Sequence, residues 1–294
     1  MSLIQTIIIA IVEGLTEFLP VSSTGHMIIA QNMLGVQSTE FVKAFTVVIQ
    51  LGAILSVIVL YWERFFKVNP GKIFCTTEMK SMSFGGKIVA AVKGILYKYD
   101  FYWKLLVAFI PAAVIGLIFI DQINSLLENV LVVAIMLVIG GVLMLFVDQI
   151  FKKVDEGQKI TEKKAFMIGL AQCVAMIPGV SRSMATIVGG MSQRLTRKTA
   201  AEFSFFLAVP TMCAATAYKL LELAMEPNGF DIIKENLVVL LLGNVVAFVV
   251  AMLAIKFFIG FVTRYGFRAF GWYRIIVGGI IITLLLSGYN LEMI

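Results

Sequence analysis

The sequence predicts an all-α polytopic integral membrane protein, with six transmembrane helices plus two re-entrant helical hairpins in an inverted-topology repeat. Of its 294 residues, 60% are hydrophobic and only 14% are charged, whereas a soluble domain carries about 25% charged residues. Apolar blocks such as Leu131–Val147 and Leu237–Ile255 approach the roughly 20 residues that a helix needs to cross a bilayer. Polar and apolar residues do not alternate in these blocks, which argues against a transmembrane β-barrel.

The six predicted spans are long apolar segments separated by polar connections. They cover residues 40–62, 101–120, 129–150, 200–222, 237–263 and 271–289. Together with the hairpins they form a single predicted membrane domain, residues 1–294.

Two further segments, 3–34 and 162–192, are apolar on average but are broken near the middle by Pro, Gly, Ser and ionisable residues. This pattern favours a helix–break–helix hairpin that enters the bilayer and returns to the same side. Broken backbone at that depth is tolerated where protein or a water-filled cavity satisfies its polar groups. The two hairpins are therefore where we expect the chemistry.

The distribution of charge predicts the orientation of the spans, because basic residues in short connections face the cytoplasm. The predicted cytoplasmic residues are Arg64, Lys67, Lys72, Lys80, Lys87, Lys93, Lys98, Lys152, Lys153, Lys159, Lys163, Lys164, Arg194, Arg197, Lys198, Arg264 and Arg268. The predicted outer residues are Asp121, Glu128, Glu222, Glu226, Asp231 and Glu235. This topology opens the first hairpin outward and the second inward. It also explains the net charge of +6 without nucleic acid, which we exclude as a partner.

Short matches between the two halves predict an internal repeat, about 1–150 and about 160–294. Gly14-Leu15-Thr16-Glu17 resembles Gly169-Leu170-Ala171-Gln172, Pro20-Val21-Ser22-Ser23 resembles Pro178-Gly179-Val180-Ser181, Phe45-Thr46-Val47-Val48-Ile49 resembles Phe203-Ser204-Phe205-Phe206-Leu207, and Ile139-Gly140-Gly141 resembles Val277-Gly278-Gly279. The common order of the matches favours a repeat, and the threaded topology makes it inverted, as in many transporters. Coincidence in an apolar chain is the alternative interpretation.

Glu13 and Glu17 are four residues apart, so a helix projects both carboxylates from one face. An unpaired carboxylate inside a bilayer costs several kcal/mol. The pair is therefore expected to share a proton, a metal ion or a cationic partner. The alternative is that both are solvated at the membrane surface.

The first break continues with three hydroxyls, Ser22, Ser23 and Thr24, and with His26, the only histidine of the chain. The hydroxyls either take part in chemistry or cap the second half of the hairpin. A lone histidine is usually structural, but His26 lies within nine residues of Glu17. We therefore take it as a candidate for proton transfer.

The second break, Pro178–Thr186, has the composition of an oxyanion site. Its proline and glycine permit a sharp turn, and Ser181 is placed to cap the helix that follows. The free amides and positive dipole end of that helix attract anions, and Arg182 adds a planar fork suited to phosphate. Neutralisation of Glu13 or Glu17 is the structural alternative for Arg182, and the two roles are compatible.

The segments EGLTEFLPVSSTGH (13–26) and PGVSRSMAT (178–186) resemble the two signature motifs of the undecaprenyl-diphosphate phosphatase family, the bacitracin-resistance type. The resemblance extends over essentially the whole chain. It implies a bacterial inner-membrane enzyme that removes the terminal phosphate of C55 polyprenyl diphosphate. The product is the monophosphate carrier lipid that cell-wall synthesis reuses, and loss of the diphosphate removes the group for which bacitracin competes.

The resemblance also assigns residues. It implies catalytic roles for Glu13, Glu17, Ser23, His26 and Arg182, and phosphate contacts for Ser181 and Thr186, to which we add the neighbouring hydroxyls Ser22, Thr24 and Ser183 as candidate substrate-binding groups. It further implies a divalent cation, Mg²⁺ or Ca²⁺, for which Glu13 and Glu17 are the candidate ligands, and a site facing the outer side. A monomer and a homodimer are both compatible with the sequence.

Two aspects of function stay open at the level of sequence. Either Ser23 or a water molecule attacks the terminal phosphorus, with His26 as base, acid or phosphate contact. The rival to an enzyme is a polyprenyl-phosphate transporter or flippase, because inverted repeats with broken helices are typical of transporters. The clustered Glu, Ser, His and Arg residues favour the enzyme.

Overall fold

A computed structural model of the chain describes residues 1–37, 39–69, 84–127, 129–289 and 291, and every regular element within these ranges is an α-helix. In chain order the helices are α1 Leu3–Thr16, α2 Ser23–Met33, α3 Glu40–Val48, α4 Gln50–Leu60, α5 Trp62–Phe66, α6 Phe84–Lys98, α7 Asp100–Ile118, α8 Ile120–Leu127, α9 Val130–Ile150, α10 Glu162–Val174, α11 Arg182–Ser192, α12 Arg197–Met225, α13 Gly229–Glu235, α14 Leu237–Tyr265 and α15 Arg268–Leu286.

Six helical segments in this part of the chain are long and apolar enough to cross a membrane, which confirms the prediction of a multi-pass helical membrane protein. They are Glu40–Leu60, Asp100–Ile118, Val130–Ile150, Arg197–Met225, Leu237–Tyr265 and Arg268–Leu286. The first consists of two helices, α3 and α4, that meet at Ile49. Each segment coincides with a predicted span to within a few residues.

The predicted cytoplasmic connection 64–98 contains a helix. Its last part, Phe84–Lys98, is helix α6, a difference from the sequence prediction. Lys72 and Lys80, two of the basic residues used to orient the chain, lie outside the described residues, as does Glu128 of the predicted outer set.

The two polar segments each form a helix, a break and a second helix, α1–α2 and α10–α11. Each break contains a proline, Pro20 or Pro178, which cannot donate a backbone hydrogen bond and limits helix continuation. Each second helix is preceded by a serine with positive φ, 69° at Ser22 and 78° at Ser181. Such conformations cost about 1–3 kcal/mol and persist where surrounding contacts fix them, often at functional sites.

Glycines allow the first helix of each hairpin to approach another helix closely. A Cβ atom on Gly14 of α1 would lie 2.8 Å from the carbonyl oxygen of Ala247 on α14. A Cβ atom on Gly169 of α10 would lie 2.3 Å from the carbonyl oxygen of Ala108 on α7. The two hairpins are therefore held against the bundle by similar backbone-to-backbone crossings.

Helices α9 and α15 also pack closely, through Gly141 and Gly271, each of which faces the other's backbone. Gly278 makes a similar approach to Ala134, whereas Gly279 faces open space. Gly140, next to Gly141, faces the guanidinium of Arg274 and the sulfur of Met184. This crossing brings α15 beside both breaks.

Candidate active site

The two breaks meet through an ion pair between Glu17, just after α1, and Arg182, the first residue of α11. The Arg182 Nη2 atom donates to the Glu17 Oε1 atom over 3.0 Å, although the residues are 165 positions apart in sequence. Both side chains are largely buried, with 13% and 8% of their surface exposed. The expected neutralisation of a hairpin carboxylate by Arg182 is therefore present in the structure.

A cavity of about 210 Å³ lies beside this ion pair. Six of the residues chosen from the sequence line it: Glu17, Ser22, Ser23, Thr24, Ser181 and Arg182. Gln50 at the start of α4 and Thr211 of α12 complete its polar lining. The cavity is smaller than the 300–1,000 Å³ of typical small-molecule pockets, so its volume fits a headgroup and not a long hydrocarbon chain.

Arg182 is fixed on several sides and keeps one unused donor. Its Nη1 atom donates to the carbonyl oxygen of Ser204 over 3.0 Å. Its guanidinium carbon lies 5.7 Å from the centre of the Phe18 ring, a cation–π distance. Its Nε atom is buried and has no acceptor within the described residues.

Ser23 is joined to the same carboxylate. Its hydroxyl donates to the Glu17 Oε2 atom over 2.7 Å, so the two oxygens of Glu17 serve Arg182 and Ser23 separately. An O–H group held against a carboxylate is the arrangement in which a hydroxyl can lose its proton to a neighbouring base. Ser22 does not cap α2 through its side chain, so capping by that hydroxyl, one of the alternatives, is absent.

Glu13 lies behind Glu17, away from the open part of the cavity. Its carboxyl group is buried and interacts with the side chains of Glu17 and Gln50. Its Oε1 atom is buried without a hydrogen-bond partner among the residues described. A proton or a cation would satisfy that oxygen.

The residues of the second break differ in what they face. Ser181 caps α11, as predicted, by accepting a hydrogen bond from the amide of Met184 over 3.4 Å. Ser183 is fully buried and donates to the carbonyl oxygen of Leu19 over 2.8 Å, which ties the two breaks together. Thr186 is also buried, 2.6 Å from the Ser204 hydroxyl. Ser183 and Thr186 therefore support the site from behind and do not line the cavity.

His26 lies next to the cavity, one step removed from it. Its Nδ1 atom is 2.7 Å from the carbonyl oxygen of Ser22, a residue that does line the cavity. Its Nε2 atom is 2.7 Å from the hydroxyl of Tyr273 on α15. His26 and Arg182 do not contact each other directly. His26 bonds the backbone of Ser22, and the next residue, Ser23, bonds Glu17, which in turn bonds Arg182.

Arg274, the neighbour of Tyr273, forms hydrogen bonds with the backbone of both breaks. It is fully buried and donates to the carbonyl oxygens of Pro20 in the first break and of Gly179 and Val180 in the second, over 3.1, 2.8 and 3.1 Å. It also donates to the carbonyl oxygens of Met136 and Leu137 on α9. No carboxylate pairs with it in the described ranges.

Sequence reasoning missed five residues of the region: Gln50, Ser204, Thr211, Tyr273 and Arg274. Arg274 carried a signal, because a cation inside the predicted span 271–289 is expensive and usually functional. Gln50 carried a weaker one as a polar residue within the predicted span 40–62. Tyr273 and Ser204 are ordinary members of membrane helices, and only the folded arrangement reveals their contacts.

Comparisons with known proteins give one matching family and several similar proteins, each over nearly the whole chain. The family described as "Bacitracin resistance protein BacA" matches residues 6–280. The undecaprenyl-diphosphatase of Porphyromonas gingivalis strain W83 is 57% identical over 294 residues, which is 100% of each chain. The undecaprenyl-diphosphatase of Flavobacterium johnsoniae is 52% identical over 97% of this chain and 96% of its own. That of Desulfitobacterium hafniense is 42% identical over 95% and 94%.

Proposed function

This chain belongs to the BacA family of bacitracin resistance proteins, and we propose that it is an undecaprenyl-diphosphatase, a phosphatase that converts C55 polyprenyl diphosphate to the monophosphate. The relatives reported above carry the name of this activity and share nearly the full length of the chain. The rival interpretation, a polyprenyl-phosphate transporter, has no support among them.

The observation that carries the proposal is the convergence of Glu17, Ser23 and Arg182 on one small cavity between the two breaks. Phosphoryl transfer depends chiefly on positioning and on compensation of negative charge. Arg182 supplies a guanidinium that Glu17 and the Ser204 carbonyl oxygen hold in place, and the amides at the start of α11 supply a positive dipole end. The terminal phosphate binds against these groups while the prenyl chain remains in the lipid.

The Glu17–Ser23 hydrogen bond favours Ser23 over water as the attacking group. In this scheme a bond forms between the Ser23 oxygen and the terminal phosphorus, and the Ser23 proton passes to Glu17. The bond from phosphorus to the bridging oxygen breaks, and the lipid monophosphate leaves with that oxygen. Water then hydrolyses the phosphoserine and releases inorganic phosphate. His26, beside Ser22, accepts or donates a proton in one of these two steps.

The carboxylates Glu13 and Glu17 fit a divalent cation to a limited extent. Mg²⁺ is commonly bound by one or two carboxylates together with substrate phosphates, and the unpartnered Oε1 atom of Glu13 is one available ligand. The described residues contain no group of three or more His, Cys, Asp or Glu side chains able to hold an ion by themselves. When bound, Mg²⁺ or Ca²⁺ would neutralise phosphate charge.

The two hairpins are proposed to be re-entrant and related as an inverted repeat. The similar crossings at Gly14 and Gly169 and the positive φ angles at Ser22 and Ser181 support this relationship. The helix contacts also correspond. Helices α1 and α4 of the first half both pack on α14, and helices α10 and α12 of the second half both pack on α7.

We place the protein in the bacterial inner membrane with its site toward the outer side, where the diphosphate lipid appears and where bacitracin competes for it. The distribution of basic residues among the connections supports this orientation. The side chains proposed to act on the substrate all come from one chain.

The test is phosphate release from C55 diphosphate by purified protein in detergent, for the wild type and for Glu17→Ala, with and without chelator. We expect release by the wild type, a loss of at least about 100-fold in Glu17→Ala, and restoration of chelator-treated enzyme by Mg²⁺ or Ca²⁺. A folded wild-type protein that moves the lipid across liposomes without releasing phosphate would establish the transporter instead.

A further inference from the structure

The hydrogen bonds of His26 to Ser22 and Tyr273 define which nitrogen of the neutral imidazole carries the proton. The two rings are stacked, with centres 5.4 Å apart and planes inclined by 5°, and the Tyr273 hydroxyl is 2.7 Å from the His26 Nε2 atom. Because the carbonyl oxygen of Ser22 can only accept a hydrogen bond, the Nδ1 atom facing it must carry a proton. In the neutral imidazole the Nε2 atom is then an acceptor, and the hydroxyl of Tyr273 donates to it.

We propose that Tyr273 is the positioning residue of His26. It holds the neutral imidazole, with hydrogen on Nδ1 toward the Ser22 carbonyl oxygen, in a fixed position with Nε2 as the basic atom. Its hydroxyl gives up its place at Nε2 to the water molecule that hydrolyses the phosphoserine, whose proton Nε2 then accepts. This inference rests on the proposed phosphatase function and deepens it, because it names the group that prepares His26 before substrate arrives.

Three features of the structure support this role. The neighbouring Arg274 is anchored by carbonyl oxygens of both breaks, so the backbone that carries Tyr273 is fixed relative to the hairpin that carries His26. Tyr273 is 45% exposed, which leaves its side chain room to move aside. Its hydroxyl makes no other hydrogen bond in the described part of the chain, so its displacement from Nε2 breaks a single contact.

The only histidine of the chain makes the test direct. Protein labelled with ¹⁵N-histidine gives imidazole signals from His26 alone, and their chemical shifts distinguish the two neutral tautomers from the cation. We expect the wild type at neutral pH to show the tautomer with hydrogen on Nδ1. A wild-type spectrum of the other tautomer would overturn the proposal without any variant.

Tyr273→Phe keeps the stacked ring and removes only the hydroxyl, and Tyr218→Phe is the matched control. Tyr218 lies on α12 with 44% of its surface exposed, close to the value for Tyr273. We expect Tyr273→Phe to change the His26 spectrum and to lower kcat for C55 diphosphate about tenfold, the size expected for loss of one neutral hydrogen bond, while Tyr218→Phe changes neither. An unaltered spectrum in Tyr273→Phe would overturn the inference.

A double variant separates this inference from the proposed function. If Tyr273 acts through His26, the Tyr273→Phe change adds no further loss to His26→Gln, because effects within one unit are not additive. Additive losses would give Tyr273 an independent role and refute positioning. A wild type that releases no phosphate would contradict the phosphatase, while the ¹⁵N spectra would still decide whether Tyr273 sets the state of His26.

Discussion

Glu17 and Arg182 form a largely buried ion pair of 3.0 Å that joins the break of the first hairpin to the start of α11. Each residue is therefore both a chemical group and a structural one. Removal of one partner from a buried pair leaves an uncompensated charge, which commonly costs about 3–5 kcal/mol. Substitutions at this pair must be read with a measurement of folding beside each measurement of activity.

Arg182→Lys is expected to lower kcat/KM for C55 diphosphate by at least about 100-fold. The lysine keeps the charge but replaces the planar fork by a single nitrogen, which cannot occupy the separate positions from which Nη2 bonds Glu17 and Nη1 bonds the Ser204 carbonyl oxygen. The measurement is phosphate release at several substrate concentrations. Arg264→Lys, at the exposed end of α14, is the control and should retain wild-type rates. Near-normal turnover of Arg182→Lys would remove the planar fork from the scheme.

Ser23→Ala is expected to abolish turnover and to prevent formation of a phosphoenzyme. Wild-type protein quenched in acid during turnover with terminally ³²P-labelled substrate should carry label on Ser23, since the Ser23 oxygen forms the bond to phosphorus. Ser192→Ala, an exposed serine at the end of α11, is the matched control. Sustained activity in Ser23→Ala would assign the attack to water held by Glu17.

Arg274→Lys is expected to lower the free energy of unfolding by about 3–5 kcal/mol, because hydrogen bonds from a buried charged group are worth more than neutral ones. A lysine can satisfy at most three of the five carbonyl oxygens that Arg274 serves. Thermal unfolding in detergent measures the change. Arg268→Lys on the same helix, an exposed residue with a single 3.4 Å contact to a carbonyl oxygen, should unfold like the wild type.

Gly14→Ala and Gly169→Ala are each expected to destabilise the protein by about 1–3 kcal/mol, the usual cost of overpacking. Their new methyl groups would meet backbone carbonyl oxygens at 2.8 and 2.3 Å, which cannot rotate away. Gly279→Ala, whose methyl group would meet no atom within 4 Å, is the control. Equal melting temperatures for all three variants would refute the close crossings.

The helical architecture could be predicted because membrane spans are recognisable in a sequence by their length and apolarity. The six spans follow directly from residue type, and so do the two interruptions, since proline, glycine and ionisable residues are costly in lipid. The α6 helix, Phe84–Lys98, was not predicted. Its lysines indicated a loop, because a basic connection and a basic helix at a membrane surface have the same composition.

The candidate site was predictable where its residues are unusual for a membrane. Glu17, Ser23 and Arg182 stood out by charge or by clustering, and they share one cavity in the structure. The depth of each side chain was not predictable. Ser183 and Thr186 belong to the same short motif as Arg182, but the helical turn directs them inward, to Leu19 and Ser204. Tyr273 and its contact with His26 depend on a crossing of α15 that local sequence does not encode.

Arg274 has one further consequence. Its five hydrogen bonds run from one guanidinium to carbonyl oxygens of both breaks and of α9. Displacement of either break would therefore rupture bonds made by a buried charged donor, which cost more to lose than bonds between neutral groups. Any motion that widens the cavity must carry both breaks and α15 together as one body, or arise in helices that Arg274 does not bind.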